Sequence, residues 1–538
     1  MTKKQLALIT GLTLTALILG LLISRRLWFR LDLTKNQAYT ISQVSRNLYT
    51  EIPDQVHLIY YLSDKLSALY PQPREILDLL REYAAYSRGK IRVTVRDPVK
   101  AGLADTAERL GIRPIEINTT EQDQSTITRV YTGIVIEYLD NAEVLPIVTS
   151  VETLEYDLTG RIRSLVQETK REIGVIVGDS VKQWDKDYRN LNQMLAQSGY
   201  AVRVISPGDE IGDALPALFV FGGTEDLDEW SLYRIDRYIQ GGGKVLFAVD
   251  TVTVNSQDIT VKMDKGLISM ISLYGATVKP ALVLDQSAHI LQPQMTRYPH
   301  WVNVLGTSGN KDNPLTLHFS GLDLFWPNPI ELNPPESVDA QPLFTSTGEA
   351  WLMTKDFTIN PDASAYLFEL EAADTKGTAI LGAVLTGTFP SYFGGLPKPL
   401  REGSVEELPD LPTVPKGSRI IVIGNTEFAA YSYEYMTQYT LQYALQYNST
   451  VLRDLDFLVL AADWLSNDDD IVSIRNRQGQ RQLDKILDQK KRIQAMVFAR
   501  VFNVVVVPLA VIAAGIGIAW KRKSRAEKAA VIYRKIEK

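Results

Sequence analysis

Four apolar, β-rich runs of this 538-residue chain end on residues that could do chemistry. Ile173–Val177 runs into Gly178-Asp179, Ala217–Phe221 into Gly222-Gly223, Lys244–Val249 into Asp250, and Ser418–Ile423 into Gly424-Asn425. In open α/β sheets, ligands bind beyond the carboxyl ends of the strands. Asp179, Gly222, Gly223, Asp250 and Asn425 are therefore the candidate ligand-binding residues, suited to a small molecule or a glycan. A hydrolase using the Asp179 and Asp250 carboxylates is a further reading of the same residues. The competing explanation is conformational, because Gly, Asp and Asn also end strands by suiting tight turns.

Most other chemistry is excluded by residue type and spacing. There is no cysteine, which removes disulfides, thiolate metal sites and cysteine nucleophiles together. The four histidines, His57, His289, His300 and His318, show no metal-ligand spacing. A G-x-S-x-G elbow and a G-x-x-x-x-G-K-[ST] loop are both missing. Gly241-Gly242-Gly243 lies between a predicted helix and a strand, the wrong place for a dinucleotide site and a suitable one for a helix C-cap. Asp468-Asp469-Asp470 lacks the spacing of a calcium loop and reads as a solvated loop. No catalytic residue, metal or cofactor is predicted. A net charge of −6 argues against a nucleic-acid partner.

The elements that must position these residues alternate between strand and helix. Thr40 or Ser42 is a predicted N-cap for a helix over Gln43–Tyr49. Val56–Leu62 is a buried strand, Ile76–Tyr86 an amphipathic helix and Ile91–Val95 a strand, which together make a β-α-β unit. With further strands at Val130–Leu139 and Val144–Val148, residues 30–160 form a first α/β subdomain, with thioredoxin-like as the suggested arrangement. A helix over Glu155–Lys170 leads to a doubly wound sheet over residues 161–450, with helices at Tyr188–Ser198 and Leu232–Gln240. Residues 280–415, rich in Pro and Gly, read as a β-rich insertion with a run at Thr378–Leu385. An apolar helix at Phe457–Leu465 and a polar one at Gln478–Gln494 belong to a helical connector over residues 451–495.

Each end of the chain carries an uncharged run. Leu6–Ile23 is long enough to cross about 30 Å of hydrocarbon, and no small-x-small cleavage site adjoins it. Val501–Trp520 is the second such run. Transmembrane helices are thus predicted over residues 6–24 and 496–520. The tail, residues 521–538, holds eight Lys/Arg against two Glu, so it is placed in the cytoplasm. Two spans then return the N-terminus, residues 1–5, to the same side and leave the body outside. Arg25, Arg26 and Arg30 oppose this orientation, but the tail carries more charge. Arg475 and Arg477, just before the second span, are candidate lipid or partner contacts. Pro508, Gly515 and Gly517 suit close packing against neighbouring helices.

As a set, several segments resemble the GldG-type auxiliary components of ABC transporters, a family associated with gliding motility. They are Arg30–Ser42 (RLDLTKNQAYTIS), Tyr156-Asp-Leu158, Ile235–Phe247 (IDRYIQGGGKVLF), Phe389-Pro-Ser-Tyr-Phe393, Arg419–Phe428 (RIIVIGNTEF), Asp463-Trp-Leu465 and Ile474-Arg-Asn-Arg477. The resemblance implies a permease and a cytoplasmic ATPase on separate chains, and an amidotransferase-like sheet that has lost catalysis. The expected function is a non-catalytic, membrane-anchored periplasmic subunit of a bacterial inner-membrane complex, coupling that machinery to the cell envelope. The alternative is a membrane-tethered glycan- or peptidoglycan-binding module using Trp301, Trp326 and Trp351.

Overall fold

A computed structural model describes residues 41–121, 124–151, 153–166, 171–254, 259–291, 296–317, 319–358, 376–400, 407–430 and 453–466, with Ile474, Gly515 and Trp520. The chain divides into two compact units, residues 1–478 and 479–538. In the second, Gly515 and Trp520 are helical and exposed. The first predicted span, the rest of the second, the basic tail, Asp468–Asp470 and Gln478–Gln494 lie outside the described residues. Among the described residues no helix is long and apolar enough to cross a membrane.

The first module starts with α1 (Gln43–Glu51), capped by the Ser42 hydroxyl, which accepts the Ser45 N–H at 3.1 Å. There follow β1 (Val56–Leu62), α2 (Asp64–Leu69), α3 (Gln72–Tyr86), β2 (Ile91–Arg96) and α4 (Ala104–Arg109). A hairpin of β3 (Ile115–Glu121) and β4 (Gln124–Val130) precedes β5 (Thr132–Tyr138), β6 (Asn141–Leu145) and α5 (Leu154–Val166). The sheet order is β2-β1-β5-β6, with β1 parallel to β2 and β5 antiparallel to both its neighbours. Ile76, Leu80 and Tyr83 form the buried stripe of α3 at helical spacing. The hairpin is the element the sequence pattern does not announce. Its residues are largely polar, and its first strand follows Pro114 directly.

The second sheet is built on five parallel strands. They are β7 (Arg171–Val177), β8 (Tyr200–Val204), β9 (Leu218–Phe221), β10 (Val245–Ala248) and, far along the chain, Ser418–Ile423. Between β7 and β8 lie α6 (Trp184–Asp187) and α7 (Arg189–Gln197), and α8 (Glu229–Gln240) precedes β10. Gly241, Gly242 and Gly243 end α8. Gly242 takes φ +93°, its N–H reaches Ile239 O at 2.9 Å, and the Gly243 N–H reaches Tyr238 O at 2.9 Å. This is the Schellman pairing, with glycine where the left-handed residue falls.

The chain continues through β11 (Val252–Val254), β12 (Ile259–Val261), α9 (Leu267–Tyr274), β13 (Ala276–Val278), β14 (Leu282–Leu284) and β15 (Ala288–Leu291). Next are β16 (Thr296–Leu305), β17 (Gly321–Phe325), β18 (Ile330–Leu332), β19 (Val338–Thr345), β20 (Trp351–Met353), β21 (Ile380–Gly387) and β22 (Ser418–Ile423). Two helices close the described body, α10 (Glu427–Ala430) and α11 (Arg453–Leu465). The main sheet runs β13-β18-β21-β22-β10-β9-β7-β8, with β19 also on β21. Much of the Pro- and Gly-rich stretch is therefore not a separate layer, because β21 joins the main sheet antiparallel to β22, and β18 and β19 pair antiparallel with β21 in turn. A smaller three-stranded sheet, β15-β16-β17, packs on one face of it.

Alternation along the parallel strands fills two cores. Phe219, Phe221, Ile421 and Ile423 face α7 and α11, while Leu218, Val220, Ile420 and Val422 face α8 and α9. With helices on both faces, the central strands β9 and β10 are buried at every position, which explains the unbroken apolar runs in the sequence. The molecule is a mixed α/β protein with several sheets.

His300 on β16 is fully buried, at 0% exposure. Its Nε2 donates to the Thr358 carbonyl at 2.8 Å, while Nδ1 is buried with no partner among the described residues. Burial lowers its pKa from 6.5 to about 4, against the opposing Thr358 bond. The folded-state value lies below the unfolded one, so the stability from keeping His300 neutral is complete above pH 6.5. It is lost as pH falls towards 4. Urea titrations at stepped pH should show unfolding free energy dropping by about 3 kcal/mol across that window. His300→Gln, which keeps a donor for Thr358, should flatten the slope there.

Candidate functional site

The parallel strands fall in the spatial order β8-β7-β9-β10-β22, or second, first, third, fourth, fifth. In this order the topological switch point lies between β7 and β9, beyond their carboxyl ends. Gly178, Asp179, Gly222 and Gly223 stand there. The Gly178 N–H donates to Phe221 O at 2.8 Å, and the Gly222 N–H to Ala248 O at 2.8 Å, so the ladders run to the strand tips. A Cβ on Gly178 would lie 2.8 Å from Gly223 Cα, and one on Gly222 would lie 3.1 Å from Asp179 Cβ. Gly222 and Gly223 also take φ of +71° and +101°. The two turns thus lie against each other, and their glycines make that approach possible. The Asp179 carboxylate turns back to accept the Val181 N–H at 3.0 Å.

Asp250 and Asn425 meet one strand further along, through Thr426. Asp250 accepts the Thr426 N–H at 3.0 Å and its hydroxyl as well. The Asn425 carbonyl accepts the Phe428 N–H at 3.0 Å, capping α10, and its amide donates to Phe325 O at 2.5 Å. That second bond fastens β17 to the main sheet. The structure therefore draws the five sequence-predicted residues to one sheet end, as two groups. Arg475, Arg477, Pro508 and Gly517 lie outside the described residues.

Three further groups complete the cluster. Lys182 pairs with Glu427, both mostly buried. Burial opposes the Lys182 charge, but Glu427, then Asp250 and Asp179, outweigh it and raise its pKa. Burial raises the Glu427 pKa, ahead of the opposing Lys182 charge, and Asp250 adds to the rise. With three carboxylates around one ammonium, Lys182 stays charged and Glu427 becomes a weaker acid than usual. The Tyr188 hydroxyl is buried without a partner among the described residues, and burial followed by Glu427 holds its pKa well above the ordinary value. Its ring packs against Trp184 at 5.6 Å and Phe221 at 4.8 Å. An ammonium held among carboxylates is neither base nor nucleophile, and a phenol held protonated is no base. Lys182, Tyr188 and Glu427 were missed in the sequence because each sits on a turn or helix start, where charged and aromatic residues are ordinary.

Other motif residues act as buried ties. Asp463 on α11, 1% exposed, accepts the Tyr156 hydroxyl, the Tyr200 hydroxyl at 2.7 Å and Arg171 Nη1 at 2.9 Å. It thereby joins α5, β8 and β7 to α11. Beside Tyr156, Glu155 accepts the Ser42 N–H and the Ser45 hydroxyl, both at 2.7 Å. Asp236 on α8 accepts the Tyr274 and Ser391 hydroxyls, each at 2.6 Å, linking Ile235–Phe247 to Phe389–Phe393. Arg419 donates to Trp464 O at 3.1 Å and lies 4.7 Å from the Trp464 ring centroid. Trp301 packs edge-to-face on Tyr298, Phe325 and Trp326, while Trp351 is buried in a satellite core.

Residues 170–461, more than half of the chain, match the family described as "ABC-type uncharacterized transport system", and the chain belongs to this auxiliary-component family. It is an auxiliary component of an ABC-type transport system, which implies transporter subunits as partners. Residues 35–137 match a domain of unknown function (DUF7088). An uncharacterized protein of Borreliella burgdorferi is 27% identical over 378 residues, covering 68% of this chain and 74% of that protein. Among solved structures, the mmIFT52 N-terminal domain overlaps 55% of this chain and 97% of its own, at a TM-score of 0.31 and 11% identity. A ThuA-like protein from Parabacteroides merdae overlaps 56% of this chain and 91% of its own, at 0.26 and 11%. Overlaps this loose assign no fold.

Two substitution series test these roles. Lys182→Met leaves buried carboxylates without their cation and should cost on the order of 3 kcal/mol in a denaturant titration. The double variant Lys182→Met/Glu427→Leu should recover most of that loss, since an apolar pair replaces an ion pair at little cost. Asp463→Ala strands two tyrosine hydroxyls and an arginine, and should cost about 3–5 kcal/mol by the same measurement. Asp463→Asn, which keeps acceptor geometry at one oxygen, should cost clearly less.

Proposed function

We propose that this chain is a non-catalytic, membrane-anchored subunit of GldG type, coupling a permease and a cytoplasmic ATPase on separate chains to the cell envelope. Both termini lie in the cytoplasm of a bacterial inner membrane, and the body stands in the periplasm. Family membership supports the transporter setting. The observation that carries the coupling role is the joining of the first and last elements of the described body to one helix. Ser42 and Ser45, which follow the first predicted span, are hydrogen-bonded to Glu155 of α5. Asp463, on the helix that leads towards the second span, accepts from Tyr156, the next residue of α5. Displacement of the segment at Ser42 or of α11 at Asp463 would be felt at adjacent side chains of one rigid element.

The finer fold reading follows the same lines. In the first module only β5 is reversed within the order β2-β1-β5-β6, which supports a thioredoxin-like sheet. The parallel order of the main sheet supports an amidotransferase-like ancestry, and the absent cysteine fits lost catalysis. The glycan-binding alternative gains less support, since Trp301 and Trp326 face each other's ring edges and Trp351 is buried. We propose a structural role for Asp179, Gly222, Gly223, Asp250 and Asn425, holding the strand tips and α10 in place.

Purification of the full chain in mild detergent should bring down a polytopic permease and an ATPase. A membrane-impermeant label added to intact spheroplasts should react with lysines of the body. Recovery of the chain alone across several detergents, or a body that stays unlabelled, would overturn the reading. Retention of the chain on cell-wall sacculi without those partners would favour the glycan-binding alternative.

A further inference from the structure

At the switch point the glycine turns lie against each other, and an open cavity lies elsewhere in the body. It measures about 520 Å³ and is walled by the segment after α4, by β6, by α5 and by Gln193 of α7. That volume is within the range of small-molecule sites, about 300–1,000 Å³. Arg161 of α5 lines it and is 6% exposed. Among the described residues its one hydrogen bond runs from Nη1 to Glu143 Oε2 at 3.3 Å. A well-made charge-assisted bond measures about 2.7–2.9 Å, so this pair is loose. Burial lowers the Arg161 pKa, with Asp157 and Glu143 opposing, so a further anion at the guanidinium would relieve the desolvated charge.

The remaining lining narrows the ligand. Glu108 and Glu143 line the cavity with Arg161 and Arg113. The Tyr131 hydroxyl fixes Glu108 by donating to its Oε1 at 2.7 Å. A multiply charged anion such as phosphate would meet these two carboxylates unfavourably. A ligand bearing one planar carboxylate and one ammonium would satisfy both signs. A guanidinium grips a carboxylate in two-point fashion, and buried Ile112 supplies an apolar wall for a short side chain.

We infer that this cavity binds the free carboxylate of an amino acid or of a short peptide, with Arg161 receiving the carboxylate and Glu108 with Glu143 receiving the ammonium. The site belongs to the body itself, so it stands whether or not a permease copurifies. The test is calorimetric titration of the full chain in mild detergent with Ala-Ala, alanine, N-acetyl-Ala-Ala, Ala-Ala amide and inorganic phosphate. Ala-Ala should bind, and amidation of its carboxylate should weaken binding by about tenfold or more. Alanine binding as well as Ala-Ala would identify the free amino acid as a source; binding of Ala-Ala alone would identify a peptide end.

Arg161→Gln should abolish binding. If that variant fails to fold, the exposed Glu108→Gln decides instead. It should weaken Ala-Ala and leave N-acetyl-Ala-Ala unchanged. Equal binding of the amide, binding of phosphate alone, or no heat with any of the five probes would overturn the proposal, as would a Glu108→Gln chain that titrates like the unaltered one.

Discussion

The body of this protein depends on the satisfaction of one buried carboxylate, Asp463. An ionised group at 1% exposure is tolerated only where charge and hydrogen bonds replace the lost water. Here Arg171 supplies the charge, and the hydroxyls of Tyr156 and Tyr200 supply two further donors. The donors come from three elements that lie between 263 and 307 positions before Asp463 in the chain. Such a node specifies register as well as energy. A helix sliding by one residue would move Asp463 off all three donors at once. Arg419 repeats the device next door on Trp464, so α11 is fixed to the sheet over consecutive residues.

With α11 fixed this way, the main sheet is held by its own C-terminal strand and helices. The parallel strands place turns where enzymes of similar sheet order hold ligands. In this chain, two glycine turns occupy that space against each other, and a Lys182–Glu427 pair links the turn after β7 to α10. The charges there face one another. At this sheet end the turns and the ion pair form a clamp between the first parallel strand and the last.

Much of the fold was legible in the sequence because burial of both sheet faces writes strands as unbroken apolar runs. Val56–Leu62, Ile173–Val177 and Ser418–Ile423 fall within a residue or two of their structural bounds. The glycine run after α8 announced its cap. The β3–β4 hairpin was hidden because residues such as Asn118, Thr119, Thr120 and Gln124 carry no apolar period. The membership of β18, β19 and β21 in the main sheet was hidden too, since pairing partners up to 56 positions apart (Ala276 and Leu332) leave no local mark, and Pro342 inside β19 reads as a break. At the strand tips, Asp, Gly and Asn were visible by type. Lys182, Tyr188 and Glu427 were not, because what distinguishes them is burial and proximity, which periodicity does not encode. Arg161 is the sharpest case. Its helix pattern does not set it apart from a solvated arginine, and only the fold shows it 6% exposed beside Glu143 of β6.

Helix α5 is where these threads meet. Glu155, Tyr156 and Arg161 lie on it within six residues, about 9 Å along a helix axis. The first holds the chain arriving at the body, the second holds the helix leaving it, and the third faces the open cavity. A helix is stiff over such a length, so rotation or translation at one of these side chains displaces the other two. Coupling between sites requires an element whose arrangement each of them biases. An anion drawn to Arg161 would compete with Glu143 for the guanidinium and so change the contact between α5 and β6. The same helix also carries the ties to Ser42 and Asp463. In this architecture, the cavity side chain Arg161 and the ties at Glu155 and Tyr156 answer to one helix position.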